Sequence, residues 1–198
     1  AYWLRYRKLK TPAVEIYDLK KSFEDVQALD GIDLTINQGQ FFGLLGPNGA
    51  GKTTIINILT GLVIRQEGST KIFGQDTIKD YRFTRAKIGI AAQELSIDWF
   101  FPIEKLLMFH AGYYGISKIL AQERVADIID RLGLKEKRNT RLRQLSGGMK
   151  RRYQLAKALV HDPDIIILDE PTAGVDVQLR HELWDYLRLL HEEGKTIL

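Results

Sequence analysis

Gly46-Pro47-Asn48-Gly49-Ala50-Gly51-Lys52-Thr53 has the spacing G-x-x-x-x-G-K-[ST], with Thr54 immediately behind it. Glycines at these positions let the backbone curl until successive N–H groups point into one concave nest for an anion. A helix starting at the loop adds free N–H groups and the positive end of its dipole. Lys52 brings a full charge to the β- and γ-phosphates, and the Thr53 hydroxyl is a hard oxygen ligand for magnesium. Together these parts answer a polyanion bound to a hard cation, so the loop implies ATP with Mg2+. An ordinary glycine turn is the competing reading. A string this specific arises by chance in under about 1% of chains of this length.

Asp169-Glu170 closes the apolar run Ile165-Ile166-Ile167-Leu168. An aspartate at the end of a buried strand can hold magnesium through water beside the phosphate loop, and Glu170 can orient or deprotonate an attacking water. Taken alone the pair also reads as two solvated acids at a strand end; the phosphate loop tips the balance to function. Leu145-Ser146-Gly147-Gly148-Met149 is a second rare string. Ser146 is placed to cap a helix running towards Val160, which aims N–H groups and a hydroxyl at an anion. On its own that string is equally a capped helix start with no ligand.

Positioning these residues takes an α/β frame. Val14, Ile16, Ile32, Leu34 and Ile36 alternate with polar residues, as half-buried strands do, with Gly31 and Asn37-Gln38-Gly39 as turns. Phe41–Leu45 reads as a strand entering the phosphate loop. Ile55, Ile56, Leu59 and Leu62 recur at helical spacing behind it, with Gly61 near the helix end. Lys71–Phe73 and Ile88–Ile90 are further strands. From Pro102 to Leu134 the period is helical: Ile103, Leu106, Leu107 and His110 share one face and Val125, Ile128, Ile129 and Leu132 another, with Ser117 as a cap between two helices. After Pro163 the run 165–168 suits a strand buried on both faces. A last helix follows Asp176, with Leu179, Leu183, Leu187 and Leu190 on one side. Lys195–Leu198 looks like the first half of a strand, so the domain is expected to run on past it.

Composition narrows the field. The 198 residues fit one domain with an inserted lobe, and the formal charge of +4 (29 basic, 25 acidic) is too mild to argue for nucleic acid. With no cysteine, disulfide scaffolds and thiolate metal sites are excluded. No apolar run reaches the roughly 18–20 residues that cross a bilayer, and no secretory signal opens the chain.

The phosphate loop, the Asp-Glu pair, the helical stretch between them and the Leu145–Met149 string together closely resemble an ATP-binding cassette (ABC) transporter ATPase, over about residues 13–198. The resemblance implies a phosphate-loop NTPase core with an N-terminal antiparallel β subdomain and a helical subdomain inserted at about 94–145. Residues 1–12 are then an expression remnant or loose N-terminus. It implies that Phe23 stacks on adenine and that Gln93 reaches magnesium and hinges the helical subdomain. Asp169 becomes the metal-side acid, Glu170 and Lys52 the catalytic pair, and Ala173-Gly174-Val175-Asp176 a loop crossing a dimer interface. Leu145 to Met149 match the family signature, which contacts the ATP of a second copy. Two subunits, a homodimer in the simplest case, then stack head to tail around two ATP molecules. They drive export through a transmembrane permease subunit while lying at the cytoplasmic face of the cell membrane. Neither direct membrane insertion nor direct nucleic-acid contact is implied.

Two departures qualify this. Met149 replaces the usual glutamine, as in drug- and polysaccharide-type exporter ATPases, and its side chain is expected beside the phosphate site. The family also carries a histidine just after the strand beginning at Lys195, and His110, His161, His181 and His191 all precede that place. These four are read as solvated or packed, and the fragment is expected to bind ATP but to turn it over poorly. Trp99-Phe100-Phe101-Pro102 either packs the helical subdomain or receives the permease, and both readings can hold for different rings. Arg138, Arg141, Arg143, Lys150, Arg151 and Arg152 are expected to form a solvated basic face. A soluble ABC ATPase acting on ribosomes or nucleic acid is the alternative; against it, there is no long heptad insert and no zinc cysteine. A phosphate-loop kinase of small molecules leaves Leu145–Gly148 unexplained.

Overall fold

Alternation in the N-terminal third folds into an antiparallel sheet. The computed structural model describes residues 11–92, 100–169, 171 and 177–198. Strands β1 (Val14–Phe23) and β2 (Val26–Ile36) form a hairpin, β3 (Glu67–Ile72) pairs with β1 on its other edge, and β4 (Gln75–Asp76) completes the order β2-β1-β3-β4. Val14, Ile16, Leu19, Leu29, Ile36 and Ile72 are all buried; Val14 and Ile16 keep the period of two of a half-covered strand, and the phase changes by Leu19, where the register shifts. Gly31 does not end a strand, as expected from the sequence, but lies within β2. There the register steps from Leu19↔Ile32 to Lys21↔Leu29, so β2 carries one extra residue. The positive φ of 70° at Gly31 is what such a β-bulge asks for.

Helix α1 (Lys52–Leu59) lays Ile55, Ile56, Ile58 and Leu59 on the apolar face of this sheet, and a short α2 (Tyr81–Ala86) leads to the second sheet. That sheet is parallel, with order β5 (Ile88–Ala91), β6 (Ile165–Leu168), β7 (Thr196–Ile197). The expected strand at 41–45 is reduced to one parallel bridge. The Phe42 N–H donates to the Ile197 carbonyl (2.8 Å) and the Ile197 N–H to that of Gln40 (2.9 Å). That bridge is the segment's one regular pairing among the described residues, and Leu45 is 93% exposed.

Helices α3 (Ile103–Tyr113), α4 (Lys118–Arg131), α5 (Gly147–Leu159) and α6 (Val177–Glu192) build a second apolar core. Ile103, Leu107, Val125, Ile128, Ile129 and Leu132 meet Leu155 and Leu159 of α5 and Leu183, Leu187 and Leu190 of α6 there. The side chain of Leu179 lies outside the described residues. Ser117 stands at the start of α4, but its side chain makes no capping bond; only its carbonyl serves, accepting from the Ala121 N–H at 2.8 Å. Gly89 sets how closely α5 approaches β5, because a Cβ there would fall 2.1 Å from the Ala158 carbonyl oxygen.

Helix α3 and the core meet at three rings. Tyr114, just past α3, stacks on His161, just past α5, at 3.7 Å, and His110 meets both edge-on. The His161 Nε2–H donates to the Ile88 carbonyl at 3.0 Å, leaving Nδ1 buried without an acceptor. A proton on Nδ1 would have nothing to bond. Burial, aided by the charges of Arg124 and Lys195, therefore pushes His161 down to about 4, against the opposing pull of the Ile88 bond and Asp162. Burial also pushes His110 down to about 4, with Lys157 and His161 adding to it. An unfolded histidine takes its proton near pH 6.5. Stability from keeping these rings neutral is therefore complete above about pH 6.5 and drains away as pH falls towards 4. The urea midpoint is expected to fall between about pH 6.5 and 5, before most carboxylates protonate, and His161→Phe should flatten that decline.

Candidate functional site

Between Phe42 and Gly51 the backbone has no regular partner and turns on its glycines. Gly49 and Gly51 both sit at φ 84°. At Gly51 the requirement is double, since a Cβ would stand 2.6 Å from Leu29 Cδ2 and 2.7 Å from the Ala28 carbonyl oxygen of β2. Gly51 is also the N-cap of α1, whose first turn contains no acidic side chain to occupy its positive end. The Lys52 Nζ curls back over the loop, donating to the carbonyls of Gly46 (2.7 Å) and Pro47 (2.8 Å). Thr53 is exposed and Thr54 half-buried. A cavity of about 370 Å3 opens here, with Gly46, Asn48 and Lys52 on one wall and Leu168, Asp169 and Pro171 on another. Its donors suit a polyphosphate. Asp169 lines this cavity with a carboxylate, the hard oxygen donor that magnesium prefers, while Thr53 is not among the lining residues.

Asp169 emerges where β6 ends, its N–H donating to the Ala91 carbonyl at 3.1 Å. Arg151 of α5 reaches the same place. Its Nε–H donates to the Pro171 carbonyl (3.0 Å), Nη1 to that of Ala92 (3.2 Å) and to Gln154 Oε1 (3.0 Å), and Nη2 to that of Asp169 (3.2 Å). Gln154, 7% exposed, adds a bond from Nε2 to the Ala92 carbonyl at 2.9 Å. Burial lowers the pKa of the Arg151 guanidinium and the Asp169 charge opposes that. The expected roles of Gln93, Glu170 and Ala173-Gly174-Val175-Asp176 fall outside the described residues, as does Trp99.

Signature residues stand elsewhere. Ser146 caps α5, its Oγ accepting from the Met149 N–H at 3.2 Å, and both Ser146 and Gly147 are exposed while Leu145 is anchored in the helical core. Gly148 is half-buried at the first turn. None of them lines the cavity of the phosphate loop. Met149 packs half-buried against the apolar core of the helices. Phe23 closes β1 beside the hairpin turn, 44% exposed, with the Lys21 ammonium 5.0 Å from its ring centre, and is also outside the cavity.

The basic stretch is not the uniformly solvated face expected. Arg138 pairs with Glu104 at 3.2 Å, Arg152 pairs with Glu182, and Arg143 lies 5.9 Å over the Phe100 ring. Arg151 turns inward. Its signal was present in the spacing, because 151, 154 and 158 share the face of α5 that meets β5, where Gln154 and Ala158 are buried. The aromatic stretch divides: Phe101 packs edge-on against Phe109 at 5.8 Å, while Phe100 remains 68% exposed. His191 bonds the Gly39 carbonyl at 2.8 Å and His181 is exposed, so all four histidines are packed or solvated.

Fold and loop together define an α/β protein of the phosphate-loop NTPase class. Residues 29–173 match the ABC transporter family, and the chain belongs to that family. It is 40% identical over 186 residues to the Nod factor export ATP-binding protein I of Paraburkholderia xenovorans (strain LB400), covering 94% of this chain and 61% of that one. The protein of the same name in Rhizobium sp. (strain N33) is 38% identical over 186 residues, with the same shares, 94% and 61%. The chain thus spans about three-fifths of the length of these relatives. Among solved structures, the ADP conformation of an ATP-binding cassette of an ABC transporter superposes with a TM-score of 0.83 at 26% identity, covering 94% of this chain and 80% of that one. Part of an ABC transporter complex from Clostridium perfringens gives 0.81 at 28% identity, covering 94% and 77%.

Gly51→Ala is expected to cost about 1–3 kcal/mol through overpacking against β2. It should also open the loop enough to weaken binding of a fluorescent ATP analogue. Unchanged thermal midpoint and affinity would show that β2 yields to the methyl group.

Proposed function

We propose that this chain is the ATP-binding and ATP-hydrolysing part of an ABC exporter, working as one half of a pair. One observation carries the reading. Lys52 and Asp169 share the cavity of the phosphate loop, whereas the capped start of α5 presents Ser146 and Gly147 to solvent outside it. A second copy's nucleotide accounts for that unused anion site. The relatives named for Nod factor export favour an exporter, and the substrate itself is left open.

In this reading the amides of Gly46–Thr54 and the Lys52 ammonium hold the β- and γ-phosphates, and Phe23 stacks on adenine. Thr53, Gln93 and Asp169 would hold Mg2+, whose chemistry is to neutralise phosphate charge. Glu170 orients the attacking water and takes its proton. Leu145 anchors the signature of the second copy, whose Ser146, Gly147 and Gly148 close the site, with Ala173-Gly174-Val175-Asp176 crossing between copies. Closure draws the lobe at about 94–145 with it and so drives a transmembrane permease subunit, for which exposed Phe100 is a fitting contact. The chain then sits at the cytoplasmic face of the membrane. No helix among the described residues is long and apolar enough to cross a bilayer.

Lys52→Ala should abolish binding of a fluorescent ATP analogue. In the whole protein, Glu170→Gln should keep that binding, slow phosphate release by about 10²–10³, and trap an ATP-dependent dimer on size exclusion. A Glu170→Gln monomer saturated with ATP would overturn the paired site.

A further inference from the structure

Arg151 sits half-buried at the meeting point of three chain segments. Its fork spans the carbonyls of Ala92, Asp169 and Pro171. Two of these lie on either side of position 170 and the third lies immediately before position 93. Three carbonyls in three directions call for a planar guanidinium with five donors; a lysine offers one nitrogen. Five residues back along the same helix is Ser146, roughly 7–8 Å away along the axis.

We propose that Arg151 is a positioning residue, which sets the main chain at Ala92, Asp169 and Pro171, next to positions 93 and 170, and couples it through α5 to Ser146–Gly148. The inference rests on the ATPase reading for the roles of residues 170 and 93. A helix moves as a rigid rod over this distance, so contact at the exposed start of α5 displaces Arg151 with it. Three bonds then carry that displacement to the main chain at the ends of β5 and β6. Occupancy of one nucleotide site is thereby felt at the acid and the glutamine of the other. Gln154 completes the link, holding Arg151 through Oε1 and Ala92 through Nε2. Lys52 and the phosphate loop take no part in it, which separates positioning from ATP binding.

The test compares wild type, Arg151→Met and Arg151→Lys. Hydrogen–deuterium exchange needs no nucleotide. In Arg151→Met, peptides covering 88–92 and 164–171 should exchange about tenfold faster or more, the scale set by loss of charged hydrogen bonds, while α1 peptides keep their rates. In the whole protein, kcat should fall about 10–100-fold, as misplacement of a reacting group predicts, with KM and the affinity for a fluorescent ATP analogue within about twofold of wild type. Arg151→Lys should not restore kcat. Unchanged exchange in both segments would overturn the inference, as would a kcat equal to wild type or full rescue by lysine. A wild type that binds no ATP analogue would instead remove the ATPase reading, and the exchange measurement would still decide whether Arg151 sets these two segments.

Discussion

Strand β6 is buried on both faces, and the rest of the molecule is arranged around that fact. Ile166 points into the core built with α3, α4 and α6, while Ile165 and Ile167 point into the core shared by β1, β3 and α1. All three are fully buried, each contributing about 1.5–3 kcal/mol of apolar transfer. One strand therefore belongs to two cores, and neither can shift without it. Because the sheet is parallel, the ends of β5 and β6 emerge along one edge, where ligands of open α/β sheets bind. Asp169 appears at that edge facing the phosphate loop because the three isoleucines before it admit no other register.

Charge at this edge is satisfied by the main chain. Lys52 bonds two carbonyls of its own loop and Arg151 bonds three carbonyls of neighbouring segments. A phosphate oxygen is the stronger acceptor, so an arriving polyphosphate can draw Lys52 off Gly46 and Pro47. Arg151 is instead held from three sides, by the carbonyls of Ala92, Asp169 and Pro171. One cation is thus arranged to move and the other to hold.

The seam between the helices and the sheets is made by close approach. Gly89 lets the backbone of α5 lie against β5, and the stack of Tyr114 on His161 fastens α3 beside the same strand. Both devices act on β5, whose end runs through Ala92 into position 93. Small changes in the tilt of the helices are therefore delivered to the edge of the sheet that carries the site.

Much of this was legible in the residues alone. The phosphate loop and the capped start of α5 are local devices: backbone conformation, a cap and a charge at fixed spacing specify them without reference to the rest of the chain. The run 165–168 announced a strand covered on both sides, and the periodicities at 103–107 and 125–132 announced their helices. The departures came where partners distant in sequence decide. Gly31 serves a bulge because β1 lies beside it, and 41–45 is held by one bridge to Ile197, a residue distant in sequence. Arg151 sits among five other basic residues that look alike in sequence, and only packing against β5 selects it to face inward. The sequence by itself determined which chemistry the chain can offer, since phosphate recognition depends on residue types at short, fixed spacing. Tertiary structure decided which charges meet, because burial and hydrogen-bond partners come from segments that only the fold brings together.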